Sequence, residues 1–162
     1  MGYRRLFIMR KDLNMSPGKL AAQVAHCAEA YWTHKLRDNV ANVYTDGSCV
    51  CIAKLTVEEF KEYVCGTFTK TICQARNKNH LLKAKEMALN LGLNENEHFG
   101  LIYDKCLTEL TPEESDGTTL TGIWFCPLED SVAHSISKKY HLYTYKNNSE
   151  KVLTFEMNCA IL

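Results

Sequence analysis

Apolar positions fall into two rhythms along this chain. In "YRRLFIMR" (Tyr3–Arg10) they run unbroken from Leu6 to Met9, the pattern of a strand covered on both faces of a parallel or mixed sheet. After a loop comes "SPG", where Ser16 reads as a helix N-cap and Pro17 as the first helical residue, with the helix extending to about Arg37. "NVYTDGSCVCIAKL" places a turn signal, "TDGS", between two β-rich runs and predicts a hairpin over residues 43–55. "TVEEFKEYVCG" predicts a short helix capped by Thr56 and closed by Gly66. "FTKTICQA" is a strand. In "NKNHLLKAKEMALNLGL" the rhythm changes to a helical stripe of Leu81, Leu82, Ala84, Ala88 and Leu89 that stops at Gly92.

The second half repeats the alternation. "HFGLIYD" is a buried strand ending at Asp104, "TPEESDGTT" a loop, and "TLTGIWFC" a strand stopped by Pro127. "LEDSVAHSISKKY" predicts a helix, and the tail a hairpin turning at "KNNSEK". Strands alternating with helices predict a single α/β domain: a mixed β-sheet of about four or five strands with helices on both faces, plus a C-terminal β-hairpin. The domain proper is expected over residues 1–143, with 144–162 as a β extension packed on it.

The first helix carries the candidate chemistry. At about 100° per residue, Leu20, Ala21, Val24, Ala25, Ala28, Tyr31 and Trp32 fall on one broad side, the expected packing face. Lys19, Gln23 and His26 are spaced i, i+4 and i+7 and form a polar line on the other side. Gly18 removes a side chain beside Lys19. A lysine in the first turn opposes the helix dipole, so a carboxylate or an anionic ligand is expected opposite it. In open α/β sheets, ligands sit beyond the carboxyl ends of the strands. Asp104, at the end of "GLIYD", lies at that end and faces Lys19 if the two strands are parallel neighbours. Such a pair could orient water and stabilise an oxyanion, or could be a structural ion pair.

Composition narrows the class. The chain has 162 residues, enough for one domain with its own core. No apolar run approaches the roughly 20 residues that cross a bilayer, and the start lacks a signal-peptide core, so a cytoplasmic protein without membrane contact is expected. Its eight cysteines are scattered without a CxxC pair, which predicts reduced, mostly buried thiols and no zinc site. Charge is uneven: 14 Lys/Arg against 8 Asp/Glu up to Leu91, and 5 against 11 beyond it, giving a net charge of zero. A homodimer is compatible with this composition. "CAIL" at residues 159–162 fits a prenylation pattern and equally the end of an apolar strand.

"DLNMSPGKLAAQVAHCA" closely resembles the signature of type II peptidyl-tRNA hydrolases, approximately D-L-K-M-x-x-G-K-x-A-A-Q-x-x-H-A. Asp12, Leu13, Met15, Gly18, Lys19, Ala21, Ala22, Gln23 and His26 match it. "LIYDKCLTEL…TTLTGIWFCP" is similar to the family's second block through Asp104, Thr108, Thr119, Gly122 and Ile123. The resemblance covers most of Tyr3–Tyr143. It implies hydrolysis of the ester joining a peptide to the terminal ribose of tRNA, without metal or other cofactor. It implies a catalytic set of Lys19, Asp104, Thr108 and Thr119, with Gly18, Gln23, His26 and Asn14 contacting substrate. Asp104 would position the water, Lys19 stabilise negative charge, and the threonines hold the ester or the water. Three positions depart from the family: Asn14 replaces a lysine, and Cys106 and Leu107 replace a glycine and an arginine. Those departures support a second reading, a non-catalytic tRNA- or protein-binding homologue. A Cys–His hydrolase using Cys106 and His26 is a third; the nearby Asp104 charge disfavours its thiolate.

Overall fold

The computed structural model describes residues 2–37 and 39–145. Among these residues eight strands form in chain order: β1 (Tyr3–Arg10), β2 (Val40–Val43), β3 (Cys49–Cys51), β4 (Thr69–Ala75), β5 (Phe99–Asp104), β6 (Thr119–Phe125), β7 (Leu128–Glu129) and β8 (His141–Leu142). Four helices accompany them: α1 (Pro17–Arg37), α2 (Glu59–Thr67, wound in wide π-type turns), α3 (Lys78–Asn90) and α4 (Asp130–Ser137). One mixed sheet, ordered β5-β6-β1-β4-β8, carries the domain; β7 pairs with the start of β1.

The apolar run of β1 explains its place at the centre. Side chains alternate across a strand. Arg5 and Met9 reach α1, where the Arg5 guanidinium donates to the carbonyls of Cys27 and Ala28 and Met9 meets the Cys27 thiol. Leu6 and Ile8 point to the opposite face, covered by α3 and α4. Both faces are therefore dry, and residues from Leu6 to Met9 are fully buried.

β1 runs parallel to β4 and antiparallel to β6, and β6 runs antiparallel to β5. Hence β1 and β5 are parallel but not neighbours: β6 lies between them. The condition of parallel neighbours is met in direction and not in adjacency, yet the carboxyl ends of β1 and β5 lie at the same edge of the sheet.

The packing face of α1 is also corrected. Gln23, Cys27 and Tyr31 are its buried residues, whereas Ala21, Ala25 and His26 are exposed. Gln23 therefore sits on the packed face and not on the opposite, polar side. Hydrophobicity alone misplaced the helix, because the sheet beneath offers Gln23 two polar partners and so makes a buried amide affordable. The exposed alanines instead line a shallow apolar groove with Leu20, Val24 and Ile72.

The "TDGS" hairpin is β2–β3, a two-stranded sheet apart from the main one, beginning at Val40. Thr56 caps the helical turn at Val57 and Glu58 that leads into α2, in a reciprocal box with Glu59: the Glu59 N–H donates to Thr56 Oγ1, and the Thr56 N–H to the Glu59 carboxylate. At the C-terminus β8 pairs with β4, and the Tyr143 N–H donates to the Ile72 carbonyl. The expected hairpin at "KNNSEK", most of the 144–162 extension, and the terminal "CAIL" lie outside the described residues.

Candidate active site

Four segments converge at the shared carboxyl edge of β1 and β5. The first is the start of α1. Ser16 caps it, its Oγ accepting the Lys19 N–H at 3.3 Å. The Ser16 N–H and hydroxyl both donate to the Glu109 carboxylate, each at 2.7 Å. That carboxylate, beside the positive end of the helix dipole, ties the loop after β5 to the beginning of α1. Hydrogen bonding from Ser16 holds the Glu109 carboxyl below its ordinary pKa.

The second segment is the end of β5. Asp104 is 9% exposed and projects toward α1. Lys19 Nζ lies 2.7 Å from Asp104 Oδ2, and Gln23 Nε2 donates to the same oxygen at 2.7 Å. The third is the turn beyond Asp104. Cys106 adopts a left-handed backbone, φ 55°, which folds its N–H back onto Asp104 Oδ1 at 2.8 Å. This conformation favours glycine, the residue at that place in the signature. Farther along the turn, Thr108 Oγ1 accepts from Lys19 Nζ at 3.1 Å.

The fourth segment is β6. The β5–β6 register slips by one residue between Ile102 and Tyr103, leaving Thr121 without a direct partner opposite. Thr121 Oγ1 lies 2.7 Å from Gln23 Oε1, and is also within 3.1 Å of the Ile102 carbonyl. The resulting chain runs Thr121–Gln23–Asp104–Lys19–Thr108. With Thr121 on its oxygen, the Gln23 amide is fixed with its nitrogen toward Asp104.

Electrostatics follow from these partners. Burial by itself raises the Asp104 pKa. The Lys19 ammonium, the Cys106 N–H and the Gln23 amide outweigh burial and hold the carboxyl below its ordinary range. Asp104 is thus an anion at neutral pH. Oδ2 is filled by two donors, whereas Oδ1 accepts one and, among the described residues, keeps a lone pair free. Lys19 has three donors; two are used here, and among the described residues the third has no partner. Both groups face an open groove of about 710 Å³, whose walls include His26, Arg37, Tyr103, Lys105 and Leu107. A free carboxylate lone pair and a free ammonium N–H on one groove wall can bind a water and an electron-rich oxygen side by side.

The expected residues do not all gather there. Lys19, Asp104, Thr108 and Gln23 do. Thr119 does not: it is fully buried, and its hydroxyl donates to the Thr111 carbonyl and accepts the Glu113 N–H. It braces the loop that returns to β6. Asn14 stands in a left-handed turn, φ 46°, and donates to the Asp12 carbonyl. Gly18 is exposed with open space where a side chain would be, and His26 lines the groove away from the hydrogen-bonded chain. The Cys–His alternative has no geometry behind it, since Cys106 Sγ turns to the Asp104 carbonyl, 3.5 Å away. Thr121 and Glu109 were not foreseen. "TLTGIW" puts Thr119 and Thr121 two apart, on one face of a regular strand; the register slip that separates their roles leaves no trace in one sequence.

Comparison with known proteins places the chain in a family. The model of the family described as Peptidyl-tRNA hydrolase PTH2 matches residues 3–143. A peptidyl-tRNA hydrolase of Staphylothermus marinus is 32% identical over 130 residues, 77% of this chain and 82% of its own length. That of Thermoplasma acidophilum is 26% identical over 140 residues, 86% of this chain and 97% of its own length. A solved structure of a protein of unknown function from Agrobacterium tumefaciens strain C58 superposes with a TM-score of 0.51 at 11% identity, covering 89% of this chain and 99% of that one. That likeness concerns the fold. The family match spans β1 to Tyr143, including every segment that builds the site, and the chain belongs to the peptidyl-tRNA hydrolase PTH2 family.

Proposed function

We propose that this protein hydrolyses the ester bond between peptide and tRNA in peptidyl-tRNA, with the Lys19–Asp104 pair as the reacting centre. One observation carries the site assignment: the pair is held from four sides yet keeps one acceptor and one donor open to the groove.

The free Oδ1 lone pair of Asp104 orients a water toward the ester carbonyl. As the water oxygen bonds to the carbonyl carbon, the carbonyl π pair moves onto oxygen, where the free Lys19 N–H meets it. Asp104 receives the water proton. Collapse of the tetrahedral species breaks the bond to the ribose oxygen, and that proton passes to the leaving hydroxyl. A carboxylate with a lowered pKa is a weak base, so the larger share of the acceleration falls to charge stabilisation by Lys19. Thr108 fixes the ammonium, and Gln23, held by Thr121, fixes the carboxylate.

Gly18, His26 and Asn14 act at the margin in this reading, as groove or loop residues that meet the nucleic acid outside the reacting centre. The test is release of peptide from purified peptidyl-tRNA in the presence of a chelator. The wild-type protein is expected to release peptide and free tRNA with and without the chelator, while Lys19→Ala releases peptide at a small fraction of that rate. Absence of release by the wild type would overturn the function; equal release by Lys19→Ala would overturn the site.

A further inference from the structure

The outer edge of β5 bears on how the acyl part of the substrate is held. Among the described residues β5 is the last strand of the sheet on its side, with β6 on its inner edge alone. Along an antiparallel pair, main-chain groups point alternately toward and away from the partner. His98 turns inward, its carbonyl accepting the Cys126 N–H. Phe99 turns outward: its N–H donates to the Asn94 carbonyl and its own carbonyl accepts the Asn96 N–H. The same alternation turns Leu101 and Tyr103 outward. Among the described residues neither has a main-chain or side-chain partner on that edge.

Open edges of this kind are normally covered, bulged or charged, because they invite another strand. Here the Asn94–Asn96 loop covers the edge only at Phe99. The uncovered stretch from Leu101 to Tyr103 lines the groove that holds Asp104 and Lys19. It ends one residue before the reacting carboxylate.

We infer that the peptidyl part of the substrate binds as an added strand on the Leu101–Tyr103 edge of β5, through main-chain hydrogen bonds. The inference rests on the hydrolase reading above. Its direction follows from the chemistry. The ester is at the peptide's C-terminus and must lie at Asp104, the C-terminal end of β5, so the bound chain runs parallel to β5. The Leu101 and Tyr103 N–H and carbonyl groups then pair with alternate residues of the acyl chain. Every peptide offers the same main-chain groups, so this mode reads that an acyl chain is a peptide, and its length, but not its sequence.

The test compares substrates that share one tRNA: one with a single N-acetylated amino acid, one with a tri- or tetrapeptide, and one with the same peptide N-methylated at the residues beyond the esterified one. The wild type is expected to cleave the peptide substrate with a kcat/KM roughly tenfold above the other two, the difference lying mainly in KM. Leu101→Pro removes one outward N–H and leaves the β6 ladder intact, as edge strands permit. It is expected to lose more on the peptide substrate than on the single-residue one, narrowing that ratio. Equal kcat/KM for the peptide and its N-methylated form would overturn the inference while leaving the hydrolase reading intact. No cleavage of any substrate would overturn both. The N-methylated substrate decides the matter even if Leu101→Pro fails to fold.

Discussion

Two cation–carboxylate clusters stand at the same end of this sheet, and they are built differently. Arg10, at the end of β1, is 3% exposed and uses every N–H it has. Its guanidinium bonds both oxygens of Asp12, both oxygens of Glu113 and the Leu120 carbonyl. Those bonds raise its pKa beyond the ordinary arginine value despite burial. The other cluster, Lys19 with Asp104, has a slightly more exposed cation, a better buried carboxylate and a contact about as short, yet keeps an acceptor and a donor unspent on the groove side. The first clamps the loop before α1 to the loop before β6. The second has the same charges with valences left over. Saturation, more than charge or burial, separates a structural ion pair from one equipped for chemistry.

Breaking each cluster tests that contrast. Lys19→Ala and Asp104→Asn are expected to lower kcat by ~10²–10³-fold, as loss of an oxyanion-stabilising donor does elsewhere. Both variants should stay folded and lose less stability than a break in the Arg10 cluster, because the groove lets water reach what is left. Arg10→Met reverses the pattern. It strands the Leu120 carbonyl and frees both carboxylates, for a loss of about 1–3 kcal/mol in urea unfolding, while kcat falls far less than in Lys19→Ala. A large kcat loss without a stability loss in Arg10→Met would remove the distinction.

Thr121→Val sharpens the comparison inside the active cluster. It leaves the Gln23 oxygen without its donor and frees the amide to turn, for an expected drop of roughly tenfold in kcat. The pH profile gives the sign independently. The folded Asp104 carboxyl lies below its unfolded value, so its contribution to stability and activity is present above that unfolded value and is lost as pH falls through the folded one. The acid limb of kcat therefore lies below the ordinary aspartate range, and Gln23→Met, which removes one donor, moves it upward. The smallest effect is expected at the turn. Cys106→Gly relieves a left-handed backbone and should raise the melting temperature, by about 1 kcal/mol of stability.

Much of this was legible in the chain. The unbroken Leu6–Met9 run placed β1 at the centre, and "SPG" marked the start of α1 to the residue. Lys19 in a helical first turn called for a carboxylate, and Asp104 supplies it. What was hidden depended on tertiary pairing. Gln23 read as solvated because an amide on a helix looks polar; it is 1% exposed because Asp104 and Thr121 satisfy it from two strands. The resemblance points to Thr119 and not to Thr121, yet a register slip gives Thr119 a loop to brace and Thr121 the amide to orient. Cys106 departs from the signature's glycine, yet its left-handed backbone is one that glycine adopts readily, and its N–H reaches Asp104. Leu107 is a departure of another kind, 85% exposed where the signature has an arginine.

The claim that Lys19 and Asp104 act as one unit is tested most directly by single-turnover peptide release from peptidyl-tRNA in a double-mutant cycle. Measured at saturating protein, the Lys19→Ala/Asp104→Asn double variant is predicted to be no slower than the slower single variant, because either change disables the same centre. Losses that multiply in the double variant would show two groups acting independently and contradict the account.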